Sequence, residues 1–223
     1  MVGAYTKYVP VVVFGPGAAY VYNKDQGGTD NWGETKKIIP GDGAANDHFG
    51  YSVAINGNTI VVGAKEEDHD AVGGAQLFAA GSAYVFNKDE GGADNWGQVK
   101  KLVASDRAAS DNFGWSVSVS GTDIISGAWA EDEDDAGLNT LSAAGAAYTF
   151  NSDQGGTANW GQVNKLVAKS LLGNIFYGAS VAIDGDYAVI GSYGEDKDAA
   201  GLNSMLNAGA VYVLKNRPAS GPK

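Results

Sequence analysis

The chain has 223 residues and a formal net charge of −11, from 26 acidic against 15 basic side chains, and it contains no cysteine. Such an acidic surface repels nucleic-acid backbones and anionic membranes and attracts multivalent cations; the missing thiols exclude disulfides, thiolate nucleophiles and cysteine-type zinc sites and leave the redox compartment open. With 33 Gly, 11 Tyr and 5 Trp, and only 18% charged residues, the composition is that of a turn-rich, all-β globular protein.

Residues 1–16 read as an N-terminal segment ahead of the repeats. Their apolar run, Val11 to Phe14, is too short, and its front too weakly basic, for the apolar region of a signal peptide. No stretch approaches the roughly 18 apolar residues of a membrane span, so no membrane insertion is expected. If the protein is exported, this is the mature chain or a part of a longer one. Beyond residue 16 the chain repeats itself: Asn31-Trp32-Gly33 returns as Asn95-Trp96-Gly97 and as Asn159-Trp160-Gly161, an interval of 64 both times. Tyr20, Tyr84, Tyr148 and Tyr212 keep the same interval, as do Gly50, Gly114 and Gly178.

In the second copy four β-branched, aromatic segments bounded by Gly, Asn or Asp predict strands at 51–55, 59–63, 82–86 and 98–103, here called a, b, c and d. The a–b links, Asn56-Gly57-Asn58, Ser120-Gly121-Thr122 and Asp184-Gly185-Asp186, have the chemistry of tight hairpins with positive φ and force antiparallel neighbours. The c–d link carries a Gly-Gly pair and the repeated Trp, which predicts a structured turn with the indole folded over it. A recurring four-stranded antiparallel unit that cannot bury both faces alone describes a β-propeller blade, with a solenoid as the alternative. The register gives about three and a half repeats: 17–50 partial (c and d), 51–114 and 115–178 complete, 179–215 partial (a, b and c), then a tail at 216–223.

Phe49-Gly50 leads into Tyr51-Ser52-Val53-Ala54-Ile55, then Val61-Val62-Gly63-Ala64 and Gly81-Ser82-Ala83-Tyr84-Val85-Phe86; the next copy has Phe113-Gly114 and Ser126-Gly127-Ala128, and the last has Tyr177-Gly178 and Gly191-Ser192. This pattern resembles the FG-GAP repeat of integrin α-like β-propellers. The Pro of the family's Gly-Ala-Pro is Lys65, Trp129 or Tyr193 here. The family's calcium loop lies between the first two strands, and in this chain that link is cut to a hairpin, so the usual metal site does not carry over. The resemblance implies a propeller with a role in adhesion or extracellular recognition, secreted or at the cell surface, and no reaction.

The loop after strand b is acidic in every copy: Glu67, Asp68 and Asp70; Glu131, Asp132 and Asp134; Glu195, Asp196 and Asp198. Each set is followed by a Gly that allows a sharp turn, and carboxylates so spaced suit a hard cation, calcium above all. The alternative is that they cap backbone N–H groups in a solvated turn. A second acidic place, Asp42 to Asp47 and Asp106 to Asp111, loses its third copy, which argues for turn formation. There, Ser170-Leu171-Leu172-Gly173-Asn174-Ile175 brings apolar residues that suit either a subunit contact or local packing. Trp32, Trp96 and Trp160 are either a sugar-stacking row or the staples of their turns, whereas Trp129, present in one copy and just before an acidic cluster, is the better single ligand contact. His48 and His69 stand at different registers and suggest no paired ligand set. No serine elbow, P-loop or zinc-helix motif occurs, and nothing singles out one carboxylate pair for glycoside cleavage.

The expected function is therefore non-enzymatic: a binding, adhesion or structural scaffold for a protein or glycan ligand. A lectin-like propeller and an accessory propeller domain of a larger secreted enzyme are the alternatives. The strand tally allows a homodimer closing a six-blade ring, or further blades in a longer polypeptide.

Overall fold

Each a–b hairpin forms where the turn chemistry places it. In the second repeat Asn56 pairs with Thr59, and Gly57 takes φ +54°, the left-handed conformation such a turn needs; Gly121 and Gly185 do the same at φ +56° and +50°. The structure is a computed structural model that describes residues 15–134, 137, 140–169, 173–198 and 200–215, with the backbone of Val2–Ala4. The tail 216–223, most of the 1–16 segment and Ser170-Leu171-Leu172 lie outside the described residues.

The described residues are all-β, in four antiparallel sheets that follow one another along the chain. The first holds β1 (Val2–Ala4), β2 (Ala18–Asn23) and β3 (Gly33–Ile38); the second β4 (Phe49–Asn56), β5 (Thr59–Ala64), β6 (Ser82–Asn87) and β7 (Gly97–Leu102). The third holds β8 (Phe113–Ser120), β9 (Asp123–Ala128), β10 (Ala146–Asn151) and β11 (Gly161–Val167); the fourth β12 (Ser180–Asp184), β13 (Tyr187–Ser192) and β14 (Ala210–Lys215). The second and third are complete four-stranded propeller blades in the order a-b-c-d. The first differs from the strand tally: β1, from the segment placed ahead of the repeats, pairs with β2 at the b position. Val2-Gly3-Ala4 repeats Val62-Gly63-Ala64, and Val2 pairs with Tyr20 as Val62 pairs with Tyr84. The connection to the c strand is shorter there, so the 64-residue interval does not reveal it.

Blades stack face to face, so the inner strands are buried on both sides and lose the polar–apolar alternation of a half-exposed sheet. In β5, Ile60 and Val62 point back to Ala19, Val21 and Ile38 of the first sheet, while Val61 points forward with Ala83 and Val85 onto Phe113, Tyr148 and Phe150 of the third. Between the third and fourth sheets Ile125 and Ala147 meet Tyr177, Ile183 and Ile190. Ile175, from the apolar stretch of the third copy, is buried in this last cluster, where it packs locally. Burying a ring such as Phe49 or Phe113 contributes on the order of 2–3 kcal/mol. Hydrogen bonds tie neighbouring blades together, Ser52 Oγ donating to the Gly114 carbonyl and Ser116 Oγ to that of Gly178, both at 2.7 Å.

Candidate functional site

In the two complete blades the start of a, the end of b, the start of c and the end of d lie at one end of the sheet, so the acidic b–c loops share that end with the d–a connections. The loop glutamates are not solvated: Glu67, Glu131 and Glu195 are 0, 0 and 1% exposed. Glu67 accepts from the His69 N–H (2.9 Å) and the Ser82 hydroxyl (2.7 Å) and pairs with Lys101 at 2.9 Å. Glu131 accepts from the Glu133 N–H and the Tyr148 hydroxyl and pairs with Lys165 at 3.2 Å. Glu195 accepts from the Lys197 N–H and the Tyr212 hydroxyl. Each lysine reaches the d–a loop as well, Lys101 to Asp42 and Lys165 to Asp106, both at 2.7 Å.

The neighbouring aspartates shape the loops. Asp70 accepts from the N–H groups of Val72, Gly74 and Ala75, which hold its carboxyl at about 2, below the usual range. Asp198 likewise accepts from Leu202 and Ala200, and is lowered for the same reason. Asp68 and Asp196 cap Ala79 N–H and Asn207 N–H. Among the described residues, carboxylates converge where the d–a loop of the 51–114 repeat meets the b–c loop of the 115–178 repeat: Asp106, Glu131 and Glu133, and Asp111, Glu131 and Asp132, form two groups whose oxygens lie within 4.8 Å of one another. Asp134, of the same loop, is buried. These groups could hold a metal ion, and there an ion would meet the Lys165 ammonium as a competitor. Asp47 and Asp111 accept from Ala44 and Ala108 N–H, closing the turns expected at that place. Burial pushes Asp47 up to about 6, and burial together with the Glu131 carboxylate pushes Asp111 up to about 7.

The repeated tryptophans divide. Trp96 and Trp160, each 8% exposed, pack into the cores beneath their turns, whereas Trp32 is 59% exposed. Trp129 is placed differently. Its indole N–H donates to Asn112 Oδ1 at 3.0 Å, and its ring lies 4.7 Å from Trp115 and 5.1 Å from Phe176. Tyr51 extends the row beyond Trp115 at 4.8 Å, and Tyr193 beyond Phe176 at 4.7 Å in a stacked geometry. Lys65 Nζ sits 5.0 Å from the Tyr51 ring centre and 5.4 Å from that of Trp115, within cation–π reach. Five rings from three blades thus form one continuous row; four are half-buried and Tyr193 is 55% exposed. The row exists because the a strand bulges after Phe49 and again after Phe113, a register shift that re-aims Tyr51 and Trp115.

A family model for the FG-GAP repeat matches residues 32–86, 96–150 and 160–214. The chain belongs to the FG-GAP repeat family. A search of curated proteins gave no match. In FG-GAP terms the row is built from residues just after the Phe-Gly (Tyr51, Trp115), just before the Tyr-Gly (Phe176), and just after the Gly-Ala or Gly-Ser (Trp129, Tyr193, with Lys65 at the same register). Trp129 was visible in the sequence as a one-copy residue. Tyr51, Trp115, Phe176 and Tyr193 were not singled out as ligand contacts; the signal was that these positions change identity between copies while the framework around them does not. The acidic loops follow strand b, at the opposite end from the shortened a–b link that holds calcium in the family pattern.

Proposed function

We propose that this FG-GAP propeller segment is a non-enzymatic binding module, secreted or at the cell surface, whose ligand-contacting surface is the row Tyr51–Trp115–Trp129–Phe176–Tyr193. One observation supports it most: the rings lie together on one loop end, four half-buried and Tyr193 exposed, and the residues at their positions change identity from copy to copy. Lys65, Trp129 and Tyr193 share one register, as do Asn112 and Phe176. A residue serving only the blade frame would recur, as Phe49 and Phe113 do. Aromatic faces flanked by Asn112 and by Lys65, which is paired with Glu66, suit an amphipathic ligand, a protein loop or a glycan. With Trp96 and Trp160 packed beneath their turns, the lectin-like reading also rests on this row. The test is a screen on a glycan array and a panel of immobilised extracellular-matrix proteins with wild type and Trp129→Ala. The reading requires a ligand retained by wild type and lost by the variant, with circular dichroism showing that the variant is folded at the assay temperature; retention of every ligand by the variant refutes it.

A second proposal concerns calcium, favoured by the converging carboxylates around Glu131. A calcium ion wants about six to eight oxygens, and Asp106, Glu131, Glu133, Asp111 and Asp132 are the groups that would hold it. An ion bound only by the folded chain raises the melting temperature. Saturating calcium is expected to raise it over chelator in wild type and not in Glu133→Gln; an equal melting temperature with calcium and with chelator ends the proposal.

A further inference from the structure

We propose that the outer face of the fourth blade is an interface for a second copy of this chain, whose first blade docks on it as each blade here docks on the one before. The interface is seen three times within the chain. On its forward side it uses Val61, Ala83 and Val85 of the second blade, and Ile125 and Ala147 of the third, all 0% exposed. On its backward side it uses the Tyr and Phe of the c strand and the turn tryptophan: Tyr84, Phe86 and Trp96, then Tyr148, Phe150 and Trp160. Among the described residues two halves of this contact meet no partner blade, one on the first sheet and one on the fourth. On the fourth blade Val189, Val211 and Val213, at the register of Val61, Ala83 and Val85, are 37, 68 and 65% exposed. On the first blade Trp32, at the register of Trp96 and Trp160, is 59% exposed against their 8%, and Tyr20 and Tyr22, at the register of Tyr84 and Phe86, are partly exposed.

Contiguous apolar surface of this kind marks an association site, and the surface that fits it, by three internal examples, is carried by the same molecule. The copies meet face to face, forward side of the fourth blade on backward side of the first, so the contact is heterologous and builds a closed ring of copies or a filament.

The experiment is light scattering on the purified chain across a dilution series, with Val213→Lys and Trp32→Lys as variants. Both residues are exposed, and circular dichroism checks that each variant folds; Val211→Lys replaces the first if it does not. Wild type is expected at twice the monomer mass or more, and each variant alone at monomer mass. Mixing the two variants is the decisive arm: each retains the half the other has lost, so a 1:1 heterodimer, and nothing larger, is expected. A wild-type monomer at the highest concentration, association unchanged in both variants, or a mixture that stays monomeric overturns the proposal.

Discussion

Lys101 and Lys165 are the cations on which the loop end of the blades depends. Lys165 has only 7% of its side chain exposed, and although burial lowers its affinity for a proton, the bonds to Asp106 and Glu131 more than compensate and raise it. Removing one member of a buried pair strands the others without compensation, a loss of about 3–5 kcal/mol. Lys165→Met should therefore lower the urea midpoint sharply, whereas Lys88→Met, which breaks the exposed pair with Asp94, should leave it unchanged. Asp111 sets a pH dependence. Its folded value of about 7 lies above the ordinary 3.8, so the folded chain binds the extra proton between these values. The contribution to stability is complete below 3.8 and is lost as the pH rises through about 7. Asp111→Asn keeps an oxygen for the Ala108 N–H without the buried charge. Urea midpoints should show it more stable than wild type at about pH 8, the difference shrinking towards about pH 4; an identical pH profile contradicts the assignment.

Strand spacing and turn chemistry were legible at the element scale: the predicted 51–55, 59–63, 82–86 and 98–103 are β4 to β7 to within two residues at each end. What the pattern cannot show is which blade faces which. Glu67, Glu131 and Glu195 stand in acidic, Gly-punctuated loops and look solvated, yet each blade folds its glutamate under its own strands, as in Glu67–Lys101 and Glu131–Lys165, and the loop from the preceding blade adds Asp42 and Asp106 to those pairs. The aromatic row was hidden for the same reason, since Tyr51, Trp129 and Tyr193 meet only through the stacking of three blades. Glycine at the end of strand b is the element-scale test of that stacking. A Cβ on Gly127 would lie 1.9 Å from the carbonyl oxygen of Gly178 on the next blade, whereas the nearest atoms to one on Gly191 all belong to Ser180 of its own blade. Gly127→Ala should cost about 1–3 kcal/mol, as overpacking does. Gly191→Ala should cost less, because the Ser180 hydroxyl can rotate away; equal losses in urea denaturation would contradict the stacking.

For the whole molecule, the 64-residue repeat supplies a stiff frame of blades joined by apolar cores and by backbone-carbonyl contacts too close to admit a Cβ. Among the residues that differ between copies, Tyr51, Trp115, Trp129, Phe176 and Tyr193 gather on the loop end of that frame beside Lys65, four of them half-buried and Tyr193 exposed. Such a division suits recognition: rings held by neighbouring blades lose little side-chain freedom on binding. Once the screen has supplied a ligand, the dissociation constant measured for wild type and for Tyr193→Ala tests the account most directly, because Tyr193 is the most exposed ring of the row and the one on which the frame depends least. The account predicts affinity weakened tenfold or more, about 1.4 kcal/mol or above, with an unchanged melting temperature; an unchanged dissociation constant would place the ligand elsewhere on the propeller.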